Sequence, residues 1–145
     1  GYVEAFRHKD VVNAITAGPE GKIAVMYMEW AGDFEPIPLV TWTILETEAQ
    51  IKAFAQKLED APLWGEQRTS ISRALLTAAD YIESNDIASH RRVIDVSGDG
   101  ANNAGQPVLE ARDEVLARGV TINGLPIMLN KAMEFYDIDH LDRYY

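Results

Sequence analysis

Apolar residues near the start of the chain, Val3, Phe6, Ala14 and Ile15, recur at roughly helical spacing, and Gly18-Pro19 closes the segment with a stop signal. The spacing predicts a helix over 2–15. Residues 23–30 (Ile-Ala-Val-Met-Tyr-Met-Glu-Trp) are almost continuously apolar, which suits a strand covered on both faces, and Gly32-Asp33 then makes a turn. A second strand is predicted over 36–42 as a hairpin partner. Its prolines, Pro36 and Pro38, lack an amide donor and place it at a sheet edge.

Thr47-Glu48-Ala49-Gln50 has the capping-box pattern, in which hydroxyl and carboxamide satisfy each other's free backbone donors at a helix start. Ile51, Phe54, Ala55 and Leu58 form the buried stripe of that helix, and Pro62 ends it. After a loop over 63–68, a third helix is predicted from about Thr69, with Ile71, Ala74, Leu75, Ala78 and Ile82 on one face. Asn85-Asp86 releases the chain. Residues 93–97 form a short apolar strand that opens into a loop of small and polar residues. Pro107 then starts a helix carrying Val108, Ala111, Val115 and Leu116, which Gly119 stops. Residues 120–127 form the next strand. Met133, Phe135, Tyr136, Ile138 and Leu141 mark a short, partly packed helix within 131–145. Alternating strands and helices predict an α/β domain with a mostly parallel sheet.

The composition of the 145 residues, 47% hydrophobic and 25% charged, is that of an ordinary globular protein with a core. A net charge of −10 repels phosphate backbones and anionic lipid, and Arg91-Arg92 is too small a basic patch to reverse this. Nucleic acid is therefore not an expected partner. With no cysteine, disulfides, thiolate metal sites and a cysteine nucleophile are excluded, while the compartment stays open. No apolar run approaches the roughly 18 residues needed to span a bilayer. Gly1-Tyr2-Val3-Glu4 resembles neither an initiator region nor a signal peptide, which leads us to expect that the chain begins in mid-protein.

In an open α/β sheet, ligands bind beyond the carboxyl ends of the strands, so the loop after residue 97 is the first place to look for chemistry. Asp95-x-Ser97-x-Asp99-Gly100 matches the first half of a helix-loop-helix calcium loop, but Gln106 stands where a bidentate glutamate is required. Gly98-x-Gly100 has two glycines of the dinucleotide fingerprint and Asn103 in place of the third. A hydrolase elbow around Ser97 would need glycine at Asp95. An enzyme, such as a hydrolase using Asp99 or Ser97, also lacks a visible base. His8, His90 and His140 are scattered, and strand alternation turns Asp95 away from the direction of Val96, into the sheet.

A more coherent site joins two distant places: Thr69, where a loop enters a helix, and Asp99-Gly100, at the end of a strand. Here the chain resembles von Willebrand factor A-type domains, which hold a divalent cation on three loops. The family pattern is Asp-x-Ser-x-Ser after the first strand, a threonine before a helix, and aspartate-glycine after the fourth strand. Thr69 and Asp99 match the second and third parts.

The chain is similar in particular to a bacterial subgroup, domain-of-unknown-function family 1194. The resemblance runs through Tyr27-Met28-Glu29-Trp30, Arg68-Thr69-Ser70-Ile71, residues 92–103 and Ile122-Asn123-Gly124-Leu125-Pro126-Ile127. It implies a three-layer α/β sandwich, a single domain over 1–145, and a non-enzymatic binding module with Asp99 and Thr69 as metal ligands. A hydroxyl and a carboxylate are hard donors that suit Mg²⁺, Mn²⁺ or Ca²⁺, and an open coordination position would take a partner's acidic group. Export to the periplasm or beyond is a further implication.

Two plainer roles compete with the metal site: Thr69 as a helix N-cap, and Asp99 as a hydrogen-bonding partner of the turn 100–103. A scaffold that keeps the fold without metal and acts through helix faces is the corresponding alternative function. Asp-x-Ser-x-Ser occurs nowhere in the sequence. Against the family pattern the first and last strands are therefore expected to be missing, and bare strand edges would invite pairing with another chain.

Overall fold

The computed structural model describes residues 1–32, 34–62, 68–127 and 141–145. Residues 63–67 of the predicted loop, Asp33 of the turn, and Met133, Phe135, Tyr136, Ile138 and His140 lie outside the described residues. The fold is mixed α/β, with two compact units: Gly1–Glu29 with Ile37–Trp64, and Trp30–Pro36 with Gly65–Tyr145.

The first unit holds helices α1 (Tyr2–Arg7) and α2 (Lys9–Thr16), strands β1 (Ile23–Glu29) and β2 (Ile37–Leu45), and helix α3 (Glu48–Asp60). The single helix expected over 2–15 is broken at His8. Its backbone is extended (φ −74°, ψ 134°) and its Nδ1 accepts from the Asp10 N–H at 3.3 Å, so an exposed histidine starts the second helix. β1 and β2 pair antiparallel from Ile23 opposite Leu45 to Glu29 opposite Ile37, as the predicted hairpin requires, with irregular register around Tyr27. The capping box of α3 forms in full: Gln50 N–H donates to Thr47 Oγ1, and Thr47 N–H donates to Gln50 Oε1. The predicted stripe Ile51, Phe54, Ala55 and Leu58 is buried. It packs in a core with Val12, Ile15, Val40 and Leu45, and Phe6 meets Phe54 edge to face at 5.0 Å.

The second unit holds α4 (Ile71–Glu83), β3 (Val93–Gly98), α5 (Val108–Ala117), β4 (Thr121–Pro126) and the short α6 (Leu141–Tyr144). β3 and β4 pair in parallel, Val93 with Thr121 through Gly98 with Pro126, on either side of the α5 crossover. Ile71, Ala74, Leu75 and Ala78 of α4, Ile94 and Val96 of β3, and Ala111 and Val115 of α5 are buried. Leu116 departs from its predicted place on the core face and is 48% exposed, because Ala111, Val115 and the following Val120 already form the buried side. Arg118 fastens α5 to α4 through Asp80 at 2.6 Å and also pairs with Glu114 on its own helix.

In place of one mostly parallel sheet, the described residues form two two-stranded sheets, one antiparallel and one parallel. The physical reason is pairing: among the described residues, β1 bonds only to β2, and β3 only to β4. No described helix is long and apolar enough to cross a membrane.

Candidate functional site at the tip of β3

The candidate site lies wholly in the second unit, where β3 ends and α4 begins. Two consecutive asparagines build it. Asn103 and Thr69 exchange hydrogen bonds: Thr69 N–H donates to Asn103 Oδ1 at 2.9 Å, and Asn103 N–H donates to the Thr69 carbonyl at 2.8 Å. Ala104 N–H reaches the same carbonyl at 3.2 Å. Asn102 accepts through Oδ1 from Ser72 N–H at 3.0 Å and donates from Nδ2 to the Gln106 carbonyl at 3.1 Å. The loop after β3 thereby supplies a cap for α4, satisfying a backbone donor that the helix cannot bond internally.

This geometry corrects the helix-cap role expected of Thr69. Ser70, not Thr69, is the N-cap residue of α4, and no side-chain cap bond comes from it. Ser70 is buried instead, with its hydroxyl 3.5 Å from that of Ser72, beneath Gly105. Gly105 has φ +77°, and a Cβ there would fall within 2.8 Å of both hydroxyls, so conformation and space alike demand glycine. Ser70 N–H donates to the Ala31 carbonyl at 2.8 Å, which draws the chain after Trp30 to the same place.

Thr69 Oγ1 lies 3.3 Å from the position a Cβ would take on Gly100, the residue following Asp99. The structure thus brings the Thr69 hydroxyl against the Asp99-Gly100 loop. Among the described residues, neither the Thr69 hydroxyl nor the exposed Asp99 carboxylate makes a hydrogen bond, so both remain available. A hydroxyl and a carboxylate are hard oxygen donors of the kind a divalent cation takes. No three His, Asp or Glu side chains gather into a metal cluster among the described residues.

Asp95 is not turned inward. It is exposed, and Asn123 Nδ2 on the neighbouring strand donates to its Oδ1 at 2.7 Å. It lies in register with that asparagine and on the side of β3 opposite the buried Val96.

Two further residues, Tyr144 and Tyr145, complete the loop. Asn102 N–H donates to Tyr144 Oη at 3.2 Å, and Tyr145 Oη donates to the Gly100 carbonyl at 2.9 Å. Burial, with the Asp99 charge as the next cause, pushes the Tyr145 phenol up to about 12, so it remains a donor at neutral pH. No sequence signal linked these tyrosines to a loop more than forty residues away. The asparagines did carry one, since adjacent carboxamides after Asp-Gly at a strand tip are built to bond backbone.

The model of the family described as "Protein of unknown function (DUF1194)" matches residues 1–145. The chain belongs to the DUF1194 family. No curated protein and no solved structure matches this DUF1194 chain. The matched residues include both halves of the clamp formed by Thr69 and Asn103 of the DUF1194 protein.

Proposed function

We propose that this DUF1194 protein is a non-enzymatic binding module of von Willebrand factor A-like fold, in which Asp99 and Thr69 help hold a divalent cation. Mg²⁺ or Mn²⁺ is the favoured ion, with Ca²⁺ also compatible, since all three take hard oxygen ligands. The cation supplies a positive centre for a partner's acidic group, on a chain whose net charge of −10 would otherwise repel it. The observation that carries this reading is the Asn103–Thr69 exchange, which binds the two loops together while, among the described residues, the Thr69 hydroxyl and Asp99 carboxylate make no hydrogen bond. The sequence has no Asp-x-Ser-x-Ser. On this reading the third ligand loop comes from outside the 145 residues, and the compartment is the bacterial periplasm or the exterior.

Two protein ligands hold a cation weakly, with Kd expected at about the millimolar level typical of loose extracellular sites. Mn²⁺ titration followed by paramagnetic broadening of amide resonances tests the assignment. Broadening should centre on residues 68–70 and 98–101 and vanish in a Thr69→Ala/Asp99→Ala variant. Micromolar calorimetric affinity that survives both substitutions would overturn the site. Partner binding that ignores a chelator would favour the metal-free scaffold.

A further inference from the structure

Gly98 and Gly124 leave two gaps, between the side chains of Val96 and Pro126, on one face of the β3–β4 pair beside the Asp99 loop. Val96 stands opposite Gly124 and Gly98 opposite Pro126 in the parallel register, and residues two apart on a strand share a face. Gly98 and Gly124 are thus neighbours on one face. A Cβ on Gly98 would run into Tyr145 Oη and come 3.1 Å from the Trp30 indole, and a Cβ on Gly124 would run into the Tyr145 carbonyl and Cβ. The two glycines, with Trp30 as a wall, therefore form a slot that Tyr145 fills.

The slot has a polar end as well as apolar sides. The Gly100 carbonyl accepts the phenol O–H at 2.9 Å, and the Asn102 amide meets a second phenol, that of Tyr144, at 3.2 Å. A plain hydrocarbon ring would leave the Gly100 carbonyl without this donor, which makes the slot selective for a phenol. We propose that this slot is a phenol-binding site, with Tyr145 as its resident occupant, and that external phenols, free or on a tyrosyl peptide, bind there in competition with Tyr145. It requires no cation and is independent of the metal reading.

The test uses the full chain, cation-free, with p-cresol and toluene as probes and NMR of the Trp30 indole as readout. Tyr145→Ala should bind p-cresol with a Trp30 shift, and toluene about three- to tenfold more weakly, the ratio given by one ordinary net hydrogen bond. In the unaltered chain p-cresol affinity should fall at least about tenfold, because Tyr145 competes. Adding Gly98→Val to Tyr145→Ala should abolish the Trp30 shift by filling the slot. An acetylated, amidated Tyr-Tyr dipeptide distinguishes the sources: tighter binding than p-cresol points to a tyrosyl peptide, and equal binding to a free phenol. Either supports the slot. Equal affinity for toluene and p-cresol, or binding that survives Gly98→Val, would overturn the proposal. Displacement of the Tyr145 ring resonances by p-cresol in the unaltered chain keeps the test open should Tyr145→Ala fail to fold.

Discussion

Asn102 spends its carboxamide on backbone, bonding Ser72 N–H and the Gln106 carbonyl, while its own N–H donates to the side-chain phenol of Tyr144. Replacing it with alanine removes a helix cap supplied from a distant loop. Asn102→Ala should destabilise the protein by about 1 kcal/mol, within the range of lost caps, as measured by urea unfolding. Tyr145 makes a pH prediction of opposite character. Its folded pKa is raised above the ordinary 10.0 to about 12, so the folded form keeps the proton more tightly than the unfolded one. The stability it contributes is full below pH 10 and is lost as pH rises through about 12. A tyrosinate absorbance titration should show a late step near 12 that Tyr145→Phe removes. Tyr27 is also raised, by burial first and Glu29 next, so late titration is not unique to Tyr145 and the variant comparison is needed.

At the scale of elements, α3 is where sequence and structure agree most closely, and the reason is locality. Its cap lies within four residues, and its apolar stripe at 51, 54, 55 and 58 needs no distant information to be recognised. Phe54 is 1% exposed against Phe6, so Phe54→Ala should cost about 3–5 kcal/mol in chemical denaturation through lost burial and a residual cavity. The start of α4 was less legible. Thr69 looked like the helix entry, yet the helix begins at Ile71, because its cap comes from Asn102 some thirty residues later. The break at His8 was hidden for a related reason: Phe6 and Ala14 keep a helical rhythm across a residue that is not an ordinary helix breaker. Strand positions were readable as apolar runs, but pairing was not, since nothing in such a run names its neighbour. For the candidate site the pattern located Thr69 and Asp99, while the clamp and the two tyrosines that shape it are tertiary facts.

For the whole molecule, the net charge of −10 sets opposite expectations for the two partners of the proposed site. A divalent cation is drawn in by the protein's field, whereas an acidic ligand is repelled by it even when the cation offers a local attraction. Raising ionic strength from about 0.01 to about 0.15 M shortens the screening length from roughly 30 to roughly 8 Å, which weakens both long-range effects. Mn²⁺ affinity should therefore fall across this range. With Mn²⁺ held saturating, the affinity of a glutamate-containing peptide should instead hold or rise, because short-range ligation survives while distant repulsion is screened. Fluorescence anisotropy of the labelled peptide at both salt levels reads the second sign directly. Peptide affinity that drops steeply with salt and persists with chelator would place the ligand on a basic patch instead. The exposed Arg91-Arg92 pair is the patch to substitute in that event, and binding lost in Arg91→Ala/Arg92→Ala but kept in Asp99→Ala would remove the cation from the mechanism.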